Sequence, residues 1–319
     1  CVGRCPAGTV GNVQDNITGS VSSLCTPCPI DEYKPTVGED ECQGCPLHTS
    51  TQGLLGAAFC QCDPGFSGPT NPTNDTQCVP CVLGFYKAHF GPGQCTPCPP
   101  GTYSNEVEPA ISQAAVCQAC PAGTYQPLSG ANSSAACVPC PRGTFGPGVG
   151  AGGLEACVLC PAGTYQDKLK QTEAGHCQAC GAGRYGEDAG ATAASACLPC
   201  PRGTVSALAT ATALANCTAC PAGTFQDKLA QTSAADDCAP CGAGYYGVHT
   251  GAVSVDNCTA CPAGTFSGHD VAAANTTCAA CPAGTFQPDE AQTEAEDCAP
   301  CGAGRYSTTQ AATRADDCQ

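Results

Sequence analysis

The sequence predicts a string of small disulfide-rich repeats, built from short β-hairpins and coil with little helix, in an elongated solenoid-like form. Three observations carry this expectation. Cysteine supplies 33 of 319 residues, the density of a disulfide scaffold. From Cys98 onward, segment-opening cysteines fall at 98, 120, 140, 160, 180, 200, 220, 241, 261, 281 and 301, a period of about twenty residues. Most segments also begin with a version of Cys-Pro-Ala-Gly-Thr-Tyr/Phe.

Each segment starts with a turn. In Cys120-Pro121-Ala122-Gly123-Thr124-Tyr125 proline fixes its own φ and glycine tolerates a positive one, so a tight turn feeds a short strand. Thr124 is expected to close that turn rather than to carry an O-glycan. Five residues after the opening cysteine stands an aromatic: Tyr33, Tyr86, Tyr103, Tyr125, Phe145, Tyr165, Tyr185, Phe225, Tyr246, Phe266, Phe286 or Tyr306. Val10 and Val205 fill the same place. A unit this small cannot enclose a core, so the aromatic is expected to pack on a disulfide and on the next unit.

Bridging the second cysteine of each close pair to the first of the next gives Cys5–Cys25, Cys28–Cys42, Cys45–Cys60, Cys62–Cys78, Cys81–Cys95, Cys98–Cys117, Cys120–Cys137 and Cys140–Cys157. The same phase continues through Cys160–Cys177, Cys180–Cys197, Cys200–Cys217, Cys220–Cys238, Cys241–Cys258, Cys261–Cys278, Cys281–Cys298 and Cys301–Cys318. Cys1 is left unpaired. The rival phase, closing each Cys-x-x-Cys internally, would strand Cys318 instead and leave the long segments open. An interlaced pattern also stays open, because sequence does not prove connectivity. A loop of this size is stabilised by its bridge by about 3 kcal/mol, so reduction should collapse the array.

Between turn and closing cysteine the chain is rich in Ala, Gly, Thr and Ser. Ala207 to Ala215 is expected to give at most one helical turn. A longer rhythm overlies the repeat: Gln166-Asp167-Lys168-Leu169 returns as Gln226-Asp227-Lys228-Leu229 and, altered, as Gln287-Pro288-Asp289-Glu290. Gly-Ala-Gly follows Cys180, Cys241 and Cys301 at the same interval. This rhythm is either a periodic contact face or the trace of a duplicated three-repeat block.

One stretch departs from the lattice. Residues 28–81 include Cys45-Pro46-Leu47-His48-Thr49-Ser50 and Cys60-Gln61-Cys62-Asp63-Pro64-Gly65-Phe66. This pattern resembles the EGF-like cysteine-rich region of ephrin receptors. The later Cys-Pro-Ala-Gly-Thr-Tyr units are similar to repeats found beside that region and to the first half of tumour necrosis factor receptor repeats. Those receptor repeats carry six cysteines, whereas each unit here has two. The composition also resembles that of algal flagellar-hair (mastigoneme) glycoproteins. The expected organisation is a partial leading repeat at 1–27, an ephrin-receptor-like EGF-type region at 28–81 and tandem repeats at 82–319, cut at both ends from a longer secreted protein.

Eleven basic against 27 acidic side chains leave a net charge of −16, which argues against nucleic acid or an anionic membrane as partner. No window has the apolar run of a membrane helix. Disulfides imply an oxidising compartment, and sequons at Asn16, Asn74, Asn132, Asn216, Asn257 and Asn275 fit an extracellular or cell-surface glycoprotein. In Asn216 and Asn257 the middle residue is Cys217 or Cys258, so bridge formation competes with glycan addition. N-linked glycans are expected; no cofactor is.

Calcium lacks its Asp-x-Asp-x-Asp-Gly loop. Zinc-ribbon spacing occurs at Cys117, Cys120, Cys137 and Cys140, yet the cysteine pairs form an unbroken lattice without quartets. His48, His89, His176, His249 and His269 share no repeat position. Gly148 to Gly153 satisfies Gly-x-Gly-x-x-Gly inside one short loop, with no room for a strand and helix. No catalytic constellation appears, so no enzyme is expected. The expected role is a structural segment of a filament, stalk or coat, with copies of itself or filament subunits as partners. The alternative is a spacer or ligand-binding ectodomain of a receptor or adhesion protein.

Overall fold

A computed structural model describes residues 4–11, 25–73, 75–105 and 110–319. Two compact units divide the chain: Cys1–Pro141 with Phe145–Val158 and Leu169–Thr172, and Arg142–Thr144 with Leu159–Lys168 and Glu173–Gln319. Both are built from tandem disulfide-bridged hairpins.

The hairpin follows from the turn. In Cys-Pro-Ala-Gly-Thr the glycine takes the left-handed φ of +77° at Gly123, which a Cβ would resist. The threonine hydroxyl donates back to the proline carbonyl, 2.6 Å from Thr124 Oγ1 to Pro121 O and the same at Thr164 and Pro161. Thr124 is buried, so its hydroxyl closes the turn as expected. The two residues that follow pair antiparallel with the two residues after the closing cysteine. Thr124 and Tyr125 face Pro139 and Val138, and Thr164 and Tyr165 face Ala179 and Gln178. Such ladders are too short to stand alone; a disulfide closes each loop.

Among the described residues the bridges run forward from each opening cysteine, from Cys5–Cys25 through Cys120–Cys137 to Cys301–Cys318. Their Cα–Cα distances of 5.4 to 5.8 Å lie within ordinary disulfide geometry. Cys1 lies outside the described residues.

Helix is confined to the approach to the closing cysteine. Single 3-10 turns stand at Ser134–Ala136, Ala174–His176 and Leu214–Asn216. Gln113–Val116 and Ala234–Asp237 form one α-helical turn each, with Ser112 and Ser233 side chains accepting N–H groups at their starts. In the alanine-rich run from Ala207, only the end is helical.

Neighbouring repeats are joined backbone to backbone. Within the second unit Gly163 N–H donates to Gly186 O at 2.8 Å and Gln166 N–H to Ala191 O at 2.9 Å, both forward into the next repeat. The return bond runs from Gly190 N–H to Cys160 O at 2.8 Å. The repeat after that also touches: a Cβ on Gly163 would sit 2.5 Å from Thr210 O. The glycine is thus required twice, for its φ and for the carbonyl pressed against it. The equivalent approach in the first unit sets Gly101 against Gly150 O.

In most repeats the most enclosed atoms are the disulfides. Eleven of the aromatics are only half-buried, and Tyr306 is 61% exposed. Their backbones join successive repeats, as where Tyr125 pairs in parallel with Ala151 of the next repeat. The buried atoms are the disulfides themselves, with Cys28, Cys120, Cys160 and Cys220 wholly inaccessible. Val205, 5% exposed, packs with Cys220 and Cys238. The 45–78 stretch packs differently: Phe66 joins Cys62 and Cys78 and stacks on His48, with ring centroids 4.0 Å apart and planes 14° apart.

Candidate functional surface

Three places in each repeat carry polar or exposed chemistry: an inner slot, the closing turn and an outer loop. The inner slot is the sixth residue after the opening cysteine, directly behind the aromatic. It holds Gln126, Gln166, Gln226 and Gln287, all buried. Gln166 Nε2 donates to the His176 carbonyl, and its Oε1 accepts Lys168 N–H at 2.9 Å. Gln226 repeats this with Asp237 and Lys228, and Gln287 with Asp297 and Asp289. A neutral amide therefore satisfies the closing turn's last carbonyl and the outer loop's amide together.

Lys34 and Lys87 occupy the same slot. The Lys34 ammonium donates to Thr9 O at 2.9 Å and Gly38 O at 2.6 Å; that of Lys87 donates to Phe66 O at 2.8 Å and to Gly91 O. Burial holds the Lys87 ammonium below the usual lysine range, partly offset by the Asp63 carboxylate. Ser206 fills the slot with its hydroxyl buried and unbonded. Sequence reasoning missed this position. Its signal is compositional: behind an aromatic, only Lys, Gln, Ser and Gly recur there.

Among the described residues, the sequons lie in or just before the closing turn. Asn216 Oδ1 accepts Thr212 and Ala213 N–H, both at 3.0 Å. Asn257 Oδ1 accepts Val253 N–H at 3.1 Å and Ser254 N–H at 3.2 Å. Asp237 does the same work for Thr232 and Ser233, and Asp297 for Thr293 and Glu294. These two asparagines are therefore interchangeable in role with aspartates that cap the same turn. The N–H of Ser233, then that of Thr232, holds the Asp237 carboxyl below the usual range; Glu294 and then Thr293 act likewise on Asp297. Asn132 and Asn275 are exposed. Asn16 and Asn74 lie outside the described residues.

The three-repeat rhythm has a local correlate. Where Gly181 and Gly242 replace the usual proline, their N–H groups donate to Ala209 O at 2.9 Å and Asp270 O at 3.0 Å in the following repeat. Proline cannot make that bond.

Among the described residues no cluster of His, Cys, Asp and Glu could hold a metal ion, and no helix is long and apolar enough to cross a membrane. A shallow cleft of about 140 Å³ lined by Ser50, Thr51, Leu54, Phe59 and Gln61 contains no charged side chain.

The sequence matches the family described as tyrosine-protein kinase ephrin type A/B receptor-like over residues 16–62, 68–114, 110–153, 148–197, 208–258 and 268–318. It is 32% identical over 136 residues to zebrafish (Danio rerio) ephrin type-A receptor 3, covering 41% of this chain and 12% of that protein. Against mouse (Mus musculus) signal peptide, CUB and EGF-like domain-containing protein 3 it is 32% identical over 108 residues, 32% of this chain and 10% of the relative. Against rat (Rattus norvegicus) sushi, von Willebrand factor type A, EGF and pentraxin domain-containing protein 1 it is 29% identical over 126 residues, 39% of this chain and 3% of the relative. The chain thus spans a small part of each of these longer proteins and is a disulfide-rich repeat region of extracellular type. With matches over most of its length, it belongs to the ephrin type A/B receptor-like repeat family.

Proposed function

We propose that this chain is a non-enzymatic structural segment of an extracellular filament, stalk or surface coat, partnered by other protein chains. The carrying observation is the backbone coupling of successive repeats: Gly163 bonds to the next repeat and presses on the one after it. Such coupling resists bending and local opening, because a repeat cannot leave without breaking bonds on both sides. N-linked glycans at the exposed sequons cover the surface. Neither calcium nor another cofactor enters this reading.

A second reading, the spacer or ligand-binding ectodomain of a cell-surface receptor, is favoured by the similarity to ephrin type-A receptor 3. Negative-stain imaging of native material separates the two. Periodic fibres containing this chain support the structural reading; isolated monomers on cell surfaces overturn it.

A further inference from the structure

The bridges differ in how far they are shut off from solvent. The outer loop of a repeat ends at residues such as Gly130 and Gly150, ten positions after Cys120 and Cys140. There Gly130 N–H donates to Cys98 O and Gly150 N–H to Cys120 O, both at 2.8 Å, so each loop closes over the opening cysteine of the preceding repeat. Cys98 and Cys120 are wholly inaccessible. Ala110 holds the place of Ala151 relative to Cys81, since its carbonyl accepts Lys87 N–H at 2.8 Å as Ala151 O accepts Gln126 N–H at 2.9 Å. The residue before Ala151 is the donor Gly150, but the residue before Ala110 is Pro109, which has no N–H to give. Cys81 is part-exposed.

A second protection covers other bridges. Where the opening cysteine is part-exposed, at Cys45, Cys180 and Cys301, its partner Cys60, Cys197 or Cys318 is buried. Among the described residues only Cys81–Cys95 has neither cysteine buried. In thiol–disulfide exchange a thiolate must reach one sulfur while the other departs as a thiolate, a charge that apolar burial opposes. At Cys81–Cys95 either sulfur can be attacked and either can depart into water. The loop between them carries Lys87 and His89 and no carboxylate, so an anionic attacker meets less repulsion there than the net charge of −16 implies. The carboxylate that acts on Lys87 is Asp63, in the preceding repeat.

We propose that Cys81–Cys95 is the thiol-exchange site of this chain, opened by an external dithiol while the other bridges stay closed. One thiolate of the dithiol attacks Sγ of one cysteine, forming a mixed disulfide and releasing the other cysteine as a thiolate, which takes up a proton. The second thiol of the dithiol, deprotonated, then displaces the remaining cysteine, which is protonated in turn. The dithiol leaves as its disulfide, oxidised by two electrons, and the bridge is reduced to two protein thiols. Opening frees a loop that ties this repeat to the one before it, where Gly91 N–H donates to Cys62 O at 2.9 Å, Gly93 N–H to Gly68 O at 3.2 Å and the Lys87 ammonium to Phe66 O at 2.8 Å. The site is thus a release point between residues 62–78 and the repeats that follow. It is independent of the structural reading above.

Limited reduction of the natively secreted chain without denaturant tests it, with dithiothreitol in one arm and reduced thioredoxin in the other. Free thiols are trapped with N-ethylmaleimide and located by peptide mapping. Cys81 and Cys95 should be labelled at least about tenfold faster than Cys62, Cys78, Cys98 or Cys117. Hydrogen exchange at Gly91 and Gly93 should quicken on that reduction, while exchange at Gly130 and Gly150 does not. First labelling of Cys81 and Cys95 in both arms assigns the site to protein dithiols as well as small ones, and with dithiothreitol alone to small dithiols. Labelling by dithiothreitol that begins at another bridge, or at all bridges together, overturns the proposal.

Discussion

Loop length separates two kinds of repeat. Cys28–Cys42 and Cys81–Cys95 have a sequence separation of 14, and their inner slots hold Lys34 and Lys87. Cys120–Cys137, Cys160–Cys177 and Cys281–Cys298 have a separation of 17, and theirs hold Gln126, Gln166 and Gln287. The longer loops have room for a 3-10 turn before the closing cysteine, whose last carbonyl the glutamine amide reaches. The shorter loops have no such turn. There the longer lysine side chain crosses to a carbonyl of the preceding repeat, Thr9 or Phe66, and to one in its own loop, Gly38 or Gly91. Where a long polar side chain fills the slot it supplies N–H donors, charged or neutral, with lysine in the two short loops and glutamine in longer ones. Behind a core of disulfides, the buried lysine ties its repeat to the preceding one, whereas the buried glutamine ties the closing turn of its own repeat to its outer loop.

The strongest way to break both kinds at once is the glycine they share. At Gly84, in a short repeat, a Cβ would lie 2.3 Å from Gly130 O; at Gly203, in a long one, 2.2 Å from Gly251 O. Gly84→Ala and Gly203→Ala should each lower the local opening free energy by about 4 kcal/mol, adding overpacking to left-handed strain. Gly284 has the same conformation, φ +88°, with nothing within 4 Å of the place a methyl group would take. Gly284→Ala should therefore cost only about 1 kcal/mol. Hydrogen exchange of the amides around each glycine reads these differences.

Substitutions in the slot sharpen the distinction between donors. Lys87→Met strands the Phe66 and Gly91 carbonyls and should cost about 2–4 kcal/mol, one unmet acceptor apiece. Gln166→Leu strands one carbonyl and one amide, with a cost of about 2–3 kcal/mol. Exchanging the residues, Lys87→Gln or Gln166→Lys, should recover little if loop length decides the fit; full recovery by hydrogen exchange would contradict that.

The smallest effects come with pH. Lys87 has a folded pKa below its unfolded value, so in the short repeat the folded state gains relative stability as pH rises from that folded value toward about 10.4. Asp237 and Asp297, in long repeats, have depressed values. Their contribution is complete above the unfolded pKa of about 3.9 and is lost as pH falls through the folded one. Asp237→Asn should remove that acid sensitivity yet keep the turn, because Asn216 and Asn257 already cap it with an amide oxygen. An acid melting profile of the disulfide-intact chain, unchanged by Asp237→Asn, would count against this assignment.

Much of the repeat is legible in the sequence, because its signals are local. Pro121, Gly123 and Thr124 specify a turn within four residues, and the strand at Tyr125 follows from it. The glycine contact and the lysine bonds to Thr9 and Phe66 are not legible, because their partners lie one or two repeats away. Nothing within the segment around Gly163 announces the Thr210 carbonyl against it. The aromatics are legible as markers of each repeat, but that the disulfides rather than their rings take the most enclosed positions is not. Of the sequons, spacing alone identifies Asn216 and Asn257, but only their bonds reveal them as caps equivalent to Asp237.

Every contact described depends on which cysteines are joined, since the forward bridges hold the hairpins whose amides couple the repeats. Peptide mapping of the unreduced, natively secreted chain measures this directly. Cys98 should be found joined to Cys117, and Cys120 to Cys137. Cys117 joined to Cys120 would contradict the forward phase and every inter-repeat contact built on it.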